Sequence, residues 1–150
     1  ISQKPQENWD VQPDKVVVTY NIQAKNLRTE QNKLLSRVKD IRDGYIERGV
    51  LVDFEGQQMR FPMDNTTMVR VDQAALDSER RPDGWKKRWR VARGVWKAFT
   101  PEFIEAIRAK GADLVEAAFL RYETLETEID NAQDLFVLSE IDINSGWPDM

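Results

Sequence analysis

Ile41-Arg42-Asp43-Gly44-Tyr45-Ile46-Glu47-Arg48-Gly49 runs directly into Val50-Leu51-Val52-Asp53-Phe54, then Glu55-Gly56, then Gln57-Gln58-Met59-Arg60-Phe61. The apolar spacing changes here from helical to alternating. Upstream, Leu27, Leu34, Val38, Ile41 and Tyr45 fall on one stripe, widened by Leu35 and Ile46, which predicts a helix over 26–48. Gly49 stands where a left-handed cap belongs. Downstream, Val50, Val52 and Phe54 face one way and Met59 and Phe61 can oppose them, which predicts a β-hairpin. A long helix followed by a hairpin places the chain in the α+β class.

The rest of the chain extends this layout. Asp64 or Asn65 is positioned to cap a short helix running to about Ser78, with Met68, Val71, Ala75 and Leu76 inward. Trp85–Val91 and Val95–Phe99, separated by Ala92-Arg93-Gly94, read as a second hairpin. Thr100 is a good N-cap with Pro101 at the first helical position. A helix is expected to about Lys110, broken or kinked at Gly111. A longer helix then covers 112–129 with Leu114, Ala117, Ala118, Tyr122, Leu125 and Ile129 on its buried stripe. A last short helix is expected over 132–139, with Leu135 and Leu138.

The N-terminal end reads differently. Residues 1–14 are polar and contain Pro5 and Pro13, as expected of an extended arm, with Trp9 as its one aromatic, either an anchor on a neighbour or packed against its own domain. Residues 15–20 are β-branched and aromatic, a strand signal that sets Val16, Val18 and Tyr20 on one face. Such a strand could pair within the chain or add to a neighbour's sheet. The chain thus divides into an arm, 1–25, and an α+β domain, 26–150. Leu27, Leu34 and Ile41 are heptad-spaced, so this helix either lies on its own domain or packs in an oligomer. The chain begins with Ile1, which is expected of a piece of a longer protein.

Composition excludes several kinds of chemistry. The 150 residues carry a net charge of −4, with 41% apolar and 32% charged residues, enough for one core and a large charged surface. There is no Cys and no His, which removes disulfides, thiol nucleophiles, the commonest general base and the commonest metal ligand. No apolar run approaches the length of a membrane span, and no membrane association or cofactor is expected. Glu123, Glu126, Asp130 and Asp134 share a helical spacing but lie opposite the apolar stripe, as a solvated face does. Asp142, Asn144, Ser145 and Asp149 lack the spacing of a calcium loop. No Gly-rich phosphate loop is present. No catalytic residue and no metal ligand is nominated.

One cluster stands out. Arg80, Arg81, Lys86, Lys87, Arg88, Arg90 and Arg93 interleave with Trp85, Trp89 and Trp96, a mixture that can bind single-stranded nucleic acid. Against that reading, residues 113–150 hold ten acidic side chains and a single basic one, Arg121. A basic hairpin and an acidic C-terminal part on one chain are complementary, which favours intramolecular or homo-oligomeric pairing over nucleic acid.

The sequence ends Leu138-Ser139-Glu140-Ile141-Asp142-Ile143-Asn144-Ser145-Gly146-Trp147-Pro148. Gly146 can turn the chain, Pro148 fixes the backbone after the ring, and Trp147 is placed to fold back onto the domain. This ending, the Asp64-capped helix, the Gly49-terminated helix and the Trp hairpin together resemble an uncharacterised C-terminal domain of tailed-phage and prophage proteins encoded near tail-fibre genes. The resemblance covers approximately residues 30–148. It implies a non-enzymatic virion component, an adaptor in the tail fibre or baseplate that attaches a fibre to the tail. A homo-oligomer bound to other tail proteins, made in the host cytoplasm and resident in the virion, is the corresponding expectation. Within it, Trp9, Val16, Val18, Tyr20, Leu27, Leu34, Val38 and Ile41 would contact partners, and Asp64, Gly146, Trp147 and Pro148 would be structural. The alternatives are a tail-fibre assembly chaperone and a nucleic-acid binder using Arg81, Lys86, Lys87, Arg88 and Arg90.

Overall fold

A computed structural model describes the backbone of residues 3–149 and the side chains of residues 24–149. The fold is α+β, with the order α1 (Gln3–Arg48), β1 (Val50–Phe54), β2 (Gln57–Phe61), α2 (Asn65–Glu79), β3 (Lys87–Ala92), β4 (Val95–Phe99), α3 (Pro101–Asn131) and α4 (Leu135–Ser139). The four strands form two separate antiparallel hairpins. The chain groups into two compact units, one of residues 1–38 and 124–143 and the other of residues 39–123 and 144–150.

The larger unit is organised by where its helices stop and its hairpins turn. Gly49 ends α1 with φ of 76° and donates its N–H to Tyr45 O at 3.1 Å. A side chain there would also strike the Phe61 carbonyl, so only glycine fits. β1 and β2 pair as Val50↔Phe61 and Val52↔Met59, the register that puts their apolar residues on one face. Glu55 and Gly56 both take positive φ, the signature of the type I′ turn that suits the right-handed twist of a two-residue hairpin. β3 and β4 pair with a bulge between Arg90 and Ala92. Asp64 holds the N-cap position of α2, where its carboxylate accepts from the Thr67 hydroxyl at 2.5 Å. Thr100 caps α3 by accepting from Phe103 N–H at 3.1 Å.

These elements converge on an aromatic core. Phe99 is fully buried, with Phe103 at 4.6 Å, Phe54 at 5.2 Å, Phe61 at 5.8 Å and Trp89 at 5.9 Å between ring centroids. Edge-to-face pairs, here Phe54 and Phe61 against Phe99, add about 0.5–1.5 kcal/mol each to the area they bury. Val50, Met63, Val71, Ile104, Ile107 and Leu114 complete the cluster. Two hairpins that share no hydrogen-bonded edge are thus packed through one ring system.

In the smaller unit, Leu125, Ile129, Ala132, Leu138 and Ile143 are buried. Gln31 is its one buried polar side chain among the described residues; its Nε2 donates to Ile129 O at 2.9 Å and Ala132 O at 3.3 Å. Those carbonyls belong to the end of α3, where backbone acceptors run out of helical partners. Asp134 then caps α4 by accepting from Val137 N–H at 2.8 Å.

Several expectations are corrected. An N-terminal arm is present, but its backbone from Gln3 onward is helical, and the strand expected over 15–20 lies inside α1. Three consecutive valines favour a strand only where an edge is available. Extending an existing helix gains a hydrogen bond for each residue fixed, and valine lowers helix propensity by only about 0.5 kcal/mol. Gly111 does not break the helix, and α3 is continuous through it. Gly111 is there because Met63 occupies the space its side chain would take. Trp85 precedes β3 instead of starting it. In α2 Val71 is buried and Met68 and Ala75 pack against the core as expected, but Ala74 joins them and Leu76 is exposed. In α4 Leu138 is buried but Leu135 is exposed.

Candidate interaction surfaces

In the larger unit, the β3–β4 hairpin sorts its side chains by alternation. Trp89 turns inward and is 6% exposed. The opposite face carries Arg88, Arg90 and Trp96, with Arg90 and Trp96 directly paired and Arg88 stacked over the Trp96 ring at 6.0 Å. Trp96 is 52% exposed and its neighbour Val95 is exposed as well. Residues 84–101 contain six basic and no acidic side chains. Among the described residues none of Lys86, Lys87, Arg88, Arg90, Arg93 and Lys97 is ion-paired within 4 Å. The result is an uncompensated cationic hairpin with an apolar centre.

On the other side of β3 lies an open depression lined by Arg70, Asp77, Arg80, Arg81, Lys87 and Trp89. Arg70 sits 4.8 Å over the Trp89 ring, and Arg81 5.5 Å over that of Trp85. Asp77 accepts from Arg80 at 2.8 Å and from Arg81 at 3.3 Å. The Arg80 hydrogen bond, opposed by desolvation and helped by Arg81, holds the Asp77 carboxyl below its ordinary range. Of the basic patch read from the sequence, Arg80 and Arg81 are therefore committed to Asp77, while Lys86, Arg88 and Arg90 remain on the surface.

In the smaller unit, α4 presents the opposite chemistry. Leu135, Phe136 and Val137 are consecutive and exposed, Phe136 at 73%. Asp134 and Glu140 bracket them at the two helix caps. Residues 122–150 contain eight acidic side chains and no basic one. Leu135 and Phe136 also line an open hollow with Ala24 and Leu27 of α1.

The C-terminal ending is a separate feature of the larger unit. Arg121 Nε donates to Ser145 O at 2.9 Å, Gly146 turns with φ of 82°, and the Trp147 ring stacks on Tyr45 at 5.6 Å with 14° between planes. Nearby, Arg42 lies over both Phe119 at 4.5 Å and Tyr122 at 4.6 Å, its side chain only 12% exposed. Asp64 stands at a helix cap, and Pro148 follows the stacked ring.

Of the partner-contact residues, Trp9, Val16, Val18 and Tyr20 have side chains outside the described residues. Leu27, Leu34 and Ile41 are partly buried and Val38 is fully buried, so Val38 serves packing within the fold. Asp134 lies beyond the end of α3, so the acidic row of Glu123, Glu126 and Asp130 does not continue to it. Sequence reasoning paired Leu135 with Leu138 and did not single out Phe136 and Val137, all three of Leu135–Val137 being exposed. It also missed Arg70, whose only signal was its place on the α2 face next to Ala74. Among the described residues no group of three or more metal-ligating side chains comes together, and no helix is long and apolar enough to cross a membrane.

Residues 29–144 match the model of a family described as Domain of unknown function (DUF4376), and the chain belongs to that family. The match ends before Gly146-Trp147-Pro148. No curated protein and no solved structure matches the chain.

Proposed function

We propose that this chain is a non-enzymatic structural component of a bacteriophage virion, an adaptor in the tail fibre or baseplate that attaches a fibre to the tail. It works by binding alone, in several copies, with other tail proteins as its partners. The observation that carries the binding reading is the exposed Trp96 in its cationic hairpin. A large amphipathic ring framed by unpaired charge is the composition of a docking surface: apolar centre, polar rim, aromatic and arginine anchors. The tail setting is supported by the resemblance in residue order described above.

In this reading the arm at the start of α1 reaches a neighbouring tail protein, and the ending from Ser145 to Pro148 locks the larger unit. Quantifying the chain in purified phage particles by mass spectrometry tests the proposal. A fixed stoichiometry to a known tail protein is expected. A chain that is present during assembly and absent or sub-stoichiometric in the finished particle would identify an assembly chaperone instead.

A further inference from the structure

The hairpin β3–β4 and helix α4 are complementary in two independent respects. Each has an exposed apolar centre, Trp96 on the outer face of the hairpin and Leu135, Phe136 and Val137 on the helix. Each centre is framed by one sign of charge, and the signs are opposite: Arg88 and Arg90 flank Trp96, while Asp134 and Glu140 flank the α4 triplet. The charge imbalance reaches well beyond these frames, with six basic and no acidic residues over 84–101, against eight acidic and no basic residues over 122–150.

We infer that the outer face of the β3–β4 hairpin of one copy docks on α4 of a second copy, seating Trp96 against Phe136 between rows of opposite charge. The charges decide the geometry of the contact. A two-fold contact of hairpin on hairpin would set six cations against six, and α4 on α4 would set acid against acid. Like-charge juxtaposition is unfavourable, so the hairpin of each copy meets α4 of another copy and not its own kind.

A single-stranded nucleic acid is the competing occupant of the hairpin, and the structure disfavours it. Sequence-tolerant strand binding uses a row of rings on which successive bases stack. Of the three interleaved tryptophans, Trp89 is buried and Trp85 is partly buried beneath Arg81, which leaves Trp96 as the single open ring. The net charge of −4 adds a long-range repulsion for any polyanion.

The inference rests on the binding-only reading of the chain and adds the surface and its occupant. The absence of cysteine from the sequence supplies the test. Trp96→Cys and Phe136→Cys variants of the full chain are prepared singly, mixed, co-refolded from denaturant and oxidised. Far-ultraviolet circular dichroism first checks that each variant folds; both sites are exposed, and Ala98→Cys, on the same hairpin face as Trp96, with Val137→Cys is the reserve pair. The mixture is expected to give a disulfide-linked dimer at least ~5-fold in excess of either variant oxidised alone. Arg88→Glu with Arg90→Glu, introduced into the Trp96→Cys chain, should abolish that excess. No excess in the mixture overturns the inference. So does a disulfide that closes within one chain of the Trp96→Cys/Phe136→Cys double variant while the mixed singles fail to link. Binding of a labelled oligothymidylate to the unmodified chain, with steep salt dependence and loss on Arg88→Glu/Arg90→Glu, would assign the hairpin to nucleic acid and overturn it as well. A failed cross-link with the chain present in particles at fixed stoichiometry refutes only this contact. A successful cross-link with the chain absent from particles refutes only the virion role.

Discussion

Replacing Gly44 and Gly111 by alanine should change stability in opposite directions, although both glycines lie inside helices. Alanine exceeds glycine in helix propensity by about 0.8–1.0 kcal/mol. Gly44 sits in α1 with nothing within 4 Å of where a Cβ would stand, so the full gain should appear. At Gly111 of α3 the new methyl would collide with Sδ of Met63, a side chain only 2% exposed and locked in the core. Overpacking of this kind costs roughly 1–3 kcal/mol, and subtracting the propensity gain leaves a net loss of up to about 2 kcal/mol. With a urea m-value near 2 kcal/mol/M, Gly44→Ala should raise the denaturation midpoint by about 0.4–0.5 M and Gly111→Ala should lower it, by up to about 1 M, at unchanged slope. The double variant Gly111→Ala/Met63→Val should lose less than the two single losses added, because the shorter side chain vacates the contested space. Urea melts followed by circular dichroism measure all four chains. If Gly111→Ala stabilises as Gly44→Ala does, with no coupling to residue 63, the packing of α3 against Met63 is refuted.

Gly49→Ala should be far worse than either, by more than ~3 kcal/mol, since it combines a left-handed φ of 76° with a clash against the main-chain Phe61 carbonyl, which has no rotamer to yield; the same melts measure it. Trp147→Ala should cost about 2–3 kcal/mol, from a partly buried ring and its stack on Tyr45, while Tyr45→Phe keeps the ring and should stay within ~0.5 kcal/mol of the parent. Thermal unfolding of the pair should therefore separate by several degrees, and equal midpoints would remove the anchoring role of the C-terminal ending. Asp77 has a folded-state pKa below its ordinary value, so its favourable pairing with Arg80 and Arg81 is complete at neutral pH and is lost as pH falls through the folded pKa. Asp77→Asn should accordingly flatten part of the loss of stability measured in acid, and an unchanged acid limb would contradict that pairing.

Much of the larger unit was legible in the sequence because its signals are local. Gly49, Glu55-Gly56, Thr100-Pro101 and the alternation of Val50, Val52, Met59 and Phe61 each fix backbone geometry within a few residues. What was not legible depends on residues distant in the chain. Gly111 looks like a helix breaker until Met63, remote in sequence, is seen to fill its place. Gln31 looks like a surface residue until it meets the open carbonyls of Ile129 and Ala132. Leu135–Val137 look like core because periodicity reports a helix face and not which way that face turns. The basic cluster was visible as composition, but its division into an Asp77-bound half and an open half required the register of β3 with β4 and the position of α2. The strand expected over 15–20 was misread because the same valines suit an edge strand and tolerate a helix.

The most direct test of the account is the solution mass of the full chain, measured by light scattering across a range of concentrations, beside the Arg88→Glu/Arg90→Glu variant. An assembling adaptor with complementary faces predicts a multiple of the 17.5 kDa chain mass that falls to 17.5 kDa on charge reversal and weakens with added salt. A mass of 17.5 kDa for both chains at every concentration would contradict it.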